Sequence, residues 1–212
     1  MLKLDEIEAR VLGVLMEKEK TTPEYYPLTL NAATTAANQK TSRNPIMQLE
    51  ETAVQEGLDR LKKLGLVAHV VGGGSRVVKF RHTTAYALGI ETRAHAVLCL
   101  LLLRGPLTPG EINSMSGRIY DFEDVQEVLT TLESLREGDE PMVRILAKKP
   151  GQKEARYMHT FFDRGESLWM EAESTGDMSA QTSSALEQRV AALEARVEAL
   201  EQKLQTLQSL LD

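Results

Sequence analysis

The chain has 212 residues, of which 42% are hydrophobic, 26% charged and 5% aromatic, the balance of an ordinary folded protein rather than a disordered one. With 25 Lys and Arg against 31 Asp and Glu, the net charge is −6, which excludes a uniformly basic nucleic-acid binder but not a local basic patch. The single cysteine, Cys99, excludes a disulfide framework and a cysteine-built zinc cluster.

Met1 to Lys20 mixes acids and bases on an amphipathic pattern, unlike the basic start and apolar core of a signal peptide. The longest apolar run, Ala96 to Leu103, is far shorter than a bilayer requires. A cytoplasmic protein with no membrane partner is expected. Asp5 with Glu8 makes a capping box, and Leu4, Ile7, Val11, Leu12 and Leu15 form one apolar stripe of a first helix. Pro23 and Pro27 interrupt the chain, and Thr29 caps a second helix running to about Asn38. Thr52 and Gln55 offer a capping box for a third helix, whose Val54, Leu58, Leu61 and Leu64 share a face and which Gly65 ends. Two β-branched segments follow, Val67 to Val71 and Arg76 to Arg81, joined by the turn Gly72-Gly73-Gly74-Ser75.

This order then recurs. Pro27-Leu28-Thr29 returns as Pro106-Leu107-Thr108, and Val54-Gln55-Glu56 returns as Val125-Gln126-Glu127. The second copy opens with the apolar helix Ala94 to Leu103. Thr108-Pro109-Gly110-Glu111 then caps its second helix, and a third runs from about Phe122 to Leu135. Its strands are expected at Met142 to Leu146 and Arg156 to Phe161. The first copy is longer between the two motifs, and the extra residues fall around Asn38 to Glu51. Three helices followed by a hairpin is the order of a winged helix. The expected fold is mainly α with small β-hairpins (α+β): winged-helix domain 1 over residues 1–86, winged-helix domain 2 over 87–163, a Ser-, Thr- and Gly-containing linker over 164–183, and a coiled-coil helix over 184–212.

The closing segment is strictly heptad. Leu186, Val190, Leu193, Val197, Leu200, Leu204, Leu207 and Leu211 alternate at spacings of four and three, with Val190 and Val197 at a, Leu186, Leu193, Leu200 and Leu207 at d, and Arg189, Arg196, Glu194 and Glu201 on the flanks. This pattern favours a parallel two-stranded coil, hence a homodimer; the simpler reading is an amphipathic helix folded on its own domain.

No constellation of nucleophile, base and orienting group is visible. His69, His82, His95 and His159 are dispersed and fit no metal-ligand spacing, so neither a metal nor another cofactor is expected. Cys99 lies among leucines, as an inert core thiol does. The glycine-rich turn at Gly72 lacks a Lys-Ser/Thr ending and precedes a strand, which makes it a hairpin tip rather than a phosphate cradle.

Charge is unevenly spread. Residues 1–85 hold 12 bases and 10 acids, residues 86–172 hold 10 and 14, and residues 173–212 hold 3 and 7. Candidate nucleic-acid contacts therefore fall in the first copy: Lys40, Arg43, Arg60, Lys62, Lys63, Arg76, Lys79 and Arg81. The polar insert Asn38 to Asn44 suits phosphate and base-edge contact, and it equally suits a solvated loop. Against groove reading, the third helix of the first copy opens with Glu50, Glu51, Glu56 and Asp59. That of the second carries Asp121, Glu123, Asp124, Glu127 and Glu133 with no base between Arg118 and Arg136.

The stretches Glu8 to Lys18, Thr21 to Leu28 and Asn38 to Pro45, continued by Val54-Gln55-Glu56, Thr108 to Glu111, Pro150-Gly151 and Arg156 to His159, strongly resemble the bacterial YceH-like family along nearly the whole chain. The resemblance implies two winged-helix domains and carries over no catalytic or binding residue. The expected function is that of a non-enzymatic homodimer associated with DNA through its first domain, a candidate transcriptional regulator. The alternative is a protein-interaction scaffold using the acidic second winged helix, without direct DNA contact.

Overall fold

The computed structural model describes residues 2–71, 77–148, 152 and 154–162. The hairpin tip with Arg76 and the whole heptad segment from Leu186 to Leu211 lie outside the described residues. The described part is α+β, with seven α-helices and small antiparallel sheets, and belongs to one compact unit, Met1–Gly165.

The first half runs α1 (Glu6–Thr21), β1 (Leu28–Thr29), α2 (Leu30–Ala37), α3 (Glu51–Lys63), β2 (Val67–Val71) and β3 (Val78–His82). Asp5 and Glu8 close the expected capping box on α1, and Thr29 Oγ1 accepts the Ala32 N–H at the start of α2. At the end of α3, Gly65 adopts φ 74°. The Leu66 and Gly65 N–H groups donate back to Leu61 and Lys62, a left-handed C-cap that glycine adopts without strain. The strands order β1–β3–β2, Leu28 facing Phe80 and Ala68 facing Arg81. Because neighbouring strand residues point to opposite faces, Phe80 and His82 are buried while Lys79 and Arg81 turn the other way.

A short helix, α4 (Thr84–Leu88), unexpected from the sequence, leads to α5 (Thr92–Arg104), α6 (Pro109–Ser116), α7 (Val125–Arg136), β4 (Val143–Ile145) and β5 (Tyr157–His159). The second half repeats the first in detail. Leu107 bridges Tyr157 as Leu28 bridges Phe80, and Thr108 caps α6 in a full box with Glu111. Helix α7 starts at Val125, later than expected, because the Asp124 carboxylate accepts the Glu127 N–H and stands as the cap. Helix α3, in contrast, starts earlier than the Thr52 box implies: Asn38 holds both the N–H and the C=O of Leu49 at 2.7 and 2.8 Å, fixing the chain at the helix entrance.

The two halves share one apolar core. Helix α5 is buried from Ala94 to Leu103, as a helix apolar all round must be, and α1 packs against it. Gly13 makes that crossing close: a Cβ there would stand 2.9 Å from the Leu103 side chain. Cys99 is fully buried in the same seam, its thiol donating to Gly13 O at 3.5 Å, and burial pushes that thiol up, away from ionisation. The body closes where the Leu4 N–H donates to Phe161 O at 2.7 Å.

Candidate functional site

The candidate nucleic-acid residues of the first half divide into two groups. Arg43 and Arg60 are engaged by the fold itself. The Arg43 side chain is wholly buried. Its guanidinium donates to both carboxylate oxygens of Glu17, at 3.1 and 2.6 Å, and to Ala36 O, Ser42 O and Gln39 Oε1. It has no face left for a phosphate. Burial acts to raise the Glu17 carboxyl, but the hydrogen bonds and charge of Arg43 outweigh it and hold Glu17 below the ordinary carboxylate value. Arg60 donates to Glu8 at 2.6 Å and to Asp5 at 2.8 Å, tying α3 to the start of α1.

The second group faces outward. Lys40 lies exposed in the α2–α3 connection, and Lys62 and Lys63 are exposed in the last turn of α3. Lys62 Nζ lies 3.1 Å from His69 Nδ1. Exposed Arg81 and half-buried Lys79 share the outer face of the sheet. Among the described residues no carboxylate stands in ion-pair range of Lys40, Lys63, Lys79 or Arg81. Arg76 lies outside the described residues.

The polar insert is a clasp rather than a free loop. From α1, fully buried Arg10 donates to Ala37 O at 3.3 Å and to Pro45 O at 2.6 Å, and burial with the nearby Arg43 charge lowers its pKa to about 10. Asn44 donates through its backbone to Leu103 O at 2.9 Å and through its side chain to Arg104 O at 3.3 Å. The orphan carbonyls at the end of α5 thereby find partners. The segment read from composition as a nucleic-acid contact is thus held mainly by bonds to the protein's own core.

A second cluster escaped the sequence reading. Glu19, in the last turn of α1, His82, at the end of β3, and His95, in α5, bring one ligand atom each to within 4.8 Å of one another. His82 Nε2 stands 3.3 Å from Glu19 Oε2, and its Nδ1 stands 2.8 Å from Thr84 Oγ1. The His82 N–H donates to the Tyr26 hydroxyl at 2.7 Å. Burial lowers both imidazole pKa values, that of His95 to about 4 with help from His82. The histidines stand far apart in sequence, so no spacing motif could reveal them. The available signals were the strand alternation that places His82 beside Phe80 on the inner face, and a histidine set among the apolar residues of α5.

In the second half, the acids of α7 are partly matched. Glu127 accepts from the Tyr120 hydroxyl and the Glu123 N–H, both at 2.9 Å, while Glu123, Asp124, Val125 and Gln126 remain exposed.

A duplicated helix-and-hairpin body of this kind defines a small α+β protein whose two halves share a core, and no helix among the described residues is long and apolar enough to cross a membrane. Residues 4–152 match the family model described as "Protein of unknown function, DUF480". The chain belongs to that family, in keeping with its YceH-like resemblance. It is 48% identical over 195 residues to a UPF0502 protein of Shewanella pealeana, covering 89% of this chain and 90% of the relative. It is 48% identical over 181 residues to one of Shewanella oneidensis, covering 84% and 82%. A third relative, from Shewanella amazonensis, is 47% identical over 192 residues, covering 88% and 91%.

Proposed function

We propose that each half of the body is a winged helix and that the protein is a non-enzymatic, cytoplasmic, DNA-associated homodimer, paired through the heptad segment Leu186 to Leu211. Supporting the fold reading, α1–β1–α2–α3–β2–β3 with strand order β1–β3–β2 is the succession of three helices and a hairpin that a helix-turn-helix with a wing requires. The observation that carries the DNA reading is the set of cations left without carboxylate partners. Lys40, Lys63, Lys79 and Arg81 stay uncompensated among the described residues, whereas Arg43 and Arg60 are neutralised within the fold. A sheet face bearing Lys79 and Arg81 suits backbone contact better than base reading, because the start of α3 is acidic.

Anisotropy of a labelled duplex, titrated with the full chain at several salt concentrations, tests this. Binding that weakens with salt, and that falls in Lys79→Ala/Arg81→Ala, supports it; no binding at about 50 mM salt overturns it. A second reading, a scaffold that docks another protein on the second half, draws on the exposed acidic opening of α7 around Val125. Partners captured through α7, surviving nuclease and lost on Glu123→Lys/Asp124→Lys, would favour it.

A further inference from the structure

We infer that Glu19, His82 and His95 form a binding site for one divalent transition-metal ion of the zinc class. The site joins the end of α1, the end of β3 and the body of α5, so it sits where the hairpin of the first half meets the central helix of the second. It does not depend on the DNA reading, and its test uses no DNA.

Three observations carry it. First, the donor atoms are already gathered: all three lie within 4.8 Å of one another. A tetrahedral ion with bonds of about 2.0–2.1 Å holds its ligands about 3.3 Å apart, and His82 Nε2 and Glu19 Oε2 stand 3.3 Å apart. Rotation of the His95 ring and the Glu19 carboxylate is the adjustment that remains. Second, the imidazole donors are unspent. His95 is 3% exposed, yet neither of its ring nitrogens has a hydrogen-bond partner, and His82 Nε2 makes none despite its nearness to Glu19. Buried polar atoms nearly always find a partner, and an ion between these groups would supply one to each ring. Third, His82 is oriented from behind. The tautomer that donates Nδ1–H to Thr84 Oγ1, 2.8 Å away and fully buried, leaves the Nε2 lone pair facing Glu19, the outer-shell arrangement that fixes metal-bound imidazoles.

The donor set decides the class. Two imidazoles and a carboxylate suit zinc and its neighbours, whereas magnesium and calcium take oxygen. A cavity of about 430 Å³ opens beside the cluster, bounded by Lys20, Arg81, His82, Tyr86 and His95, and it gives a water molecule access as fourth ligand. Lys20, 3.1 Å from the Glu19 carboxylate and partly exposed, swings outward when the ion enters.

The test is equilibrium dialysis of the tag-free full chain against Zn²⁺ after chelator treatment, with Co²⁺ absorption as a second readout. One equivalent per chain is expected, with Kd near or below about 10 μM. Glu19→Gln and His95→Gln should each weaken it about tenfold or more, while His69→Gln, a control at a surface histidine, leaves it unchanged. Glu19 is partly exposed, so its variant keeps the fold and decides the matter if His95→Gln does not. No binding in this range, wild-type affinity in a folded Glu19→Gln or His95→Gln, or binding that depends on His69 overturns the inference.

Discussion

In the first half, Leu28 pairs with Phe80 and Thr29 caps the second helix; in the second half, Leu107 pairs with Tyr157 and Thr108 does the capping. The interior plan is the same, down to which residue bridges the hairpin. The surfaces differ. The first half adds a polar insert, presents cations on its sheet face and ends its acidic-starting α3 in Arg60, Lys62 and Lys63, while the second has no insert there and its α7 carries carboxylates with no base before Arg136. Internal positions are constrained by pairing and packing on both sides, whereas outward positions answer only to solvent and partners. Function is therefore to be sought where the halves diverge.

The largest effect is expected at the insert, the feature that only the first half possesses. Arg43→Ala takes the two-pronged partner from Glu17, a mostly buried carboxylate left with only Lys18 at 3.5 Å, and leaves the wholly buried Arg43 site empty; losing one partner of a buried pair costs about 3 kcal/mol. Urea unfolding of the full chain measures this. A loss under about 1 kcal/mol, typical of an exposed pair, would mean that the insert is a loose surface loop after all. Next comes the joint that makes one body of the two halves. Gly13→Leu drives a side chain into Leu103, from which even a Cβ stands only 2.9 Å away, and overpacking of this kind costs about 2 kcal/mol. An unaltered unfolding midpoint would mean that α1 and α5 slide apart at no cost, so that the halves are more independent than their shared core implies.

These two sites also mark the limit of what the sequence discloses. The repeat, the two capping boxes and the C-cap at Gly65 are local, so they could be read from neighbouring residues. The Glu17–Arg43 pair and the Glu19–His82–His95 cluster join residues on separate elements, and only the fold decides which carboxylate meets which cation. For the same reason Arg43 and Lys40, three positions apart in one polar run, have opposite fates: one points into the core and the other into solvent. Composition gives the charge of the insert but not the direction of its side chains.

The second half also carries an acid sensitivity of its own, beside that of the buried His82–His95 pair. His159, in the second half, is 1% exposed, and burial followed by the nearby Arg144 charge lowers its pKa to about 3. It is a base held neutral in the fold and free to protonate near its ordinary value of 6.5 when unfolded. The stability from the neutral ring is present above that value and is lost as pH falls below it. Between pH 7 and pH 5 this loss amounts to about 2 kcal/mol. In His159→Phe, which keeps a ring against Phe161 and Phe162, that share of the acid sensitivity should vanish. Unfolding curves at the two pH values, compared between wild type and variant, decide it: equal losses would mean that the ring accepts a proton without leaving its pocket.

The smallest effect on stability, and the most direct probe of the exposed difference, is expected on the sheet face. Lys79→Ala/Arg81→Ala removes side chains that turn away from Phe80 and His82, so stability should stay within about 0.5 kcal/mol. If the cations contact phosphate, duplex affinity falls about tenfold at low salt, and the slope of log affinity against log salt drops by about 1.8, since each contact contributes about 0.9. The matched change on the other half, Glu123→Gln/Asp124→Gln, removes acids from α7 and should leave that slope untouched. A slope reduced by the α7 change instead would place the nucleic-acid surface on the second half and reverse the assignment of roles. No change in either variant would leave the uncompensated cations of the first half as a solvated surface. The divergence between the halves would then have to be explained by the acidic one.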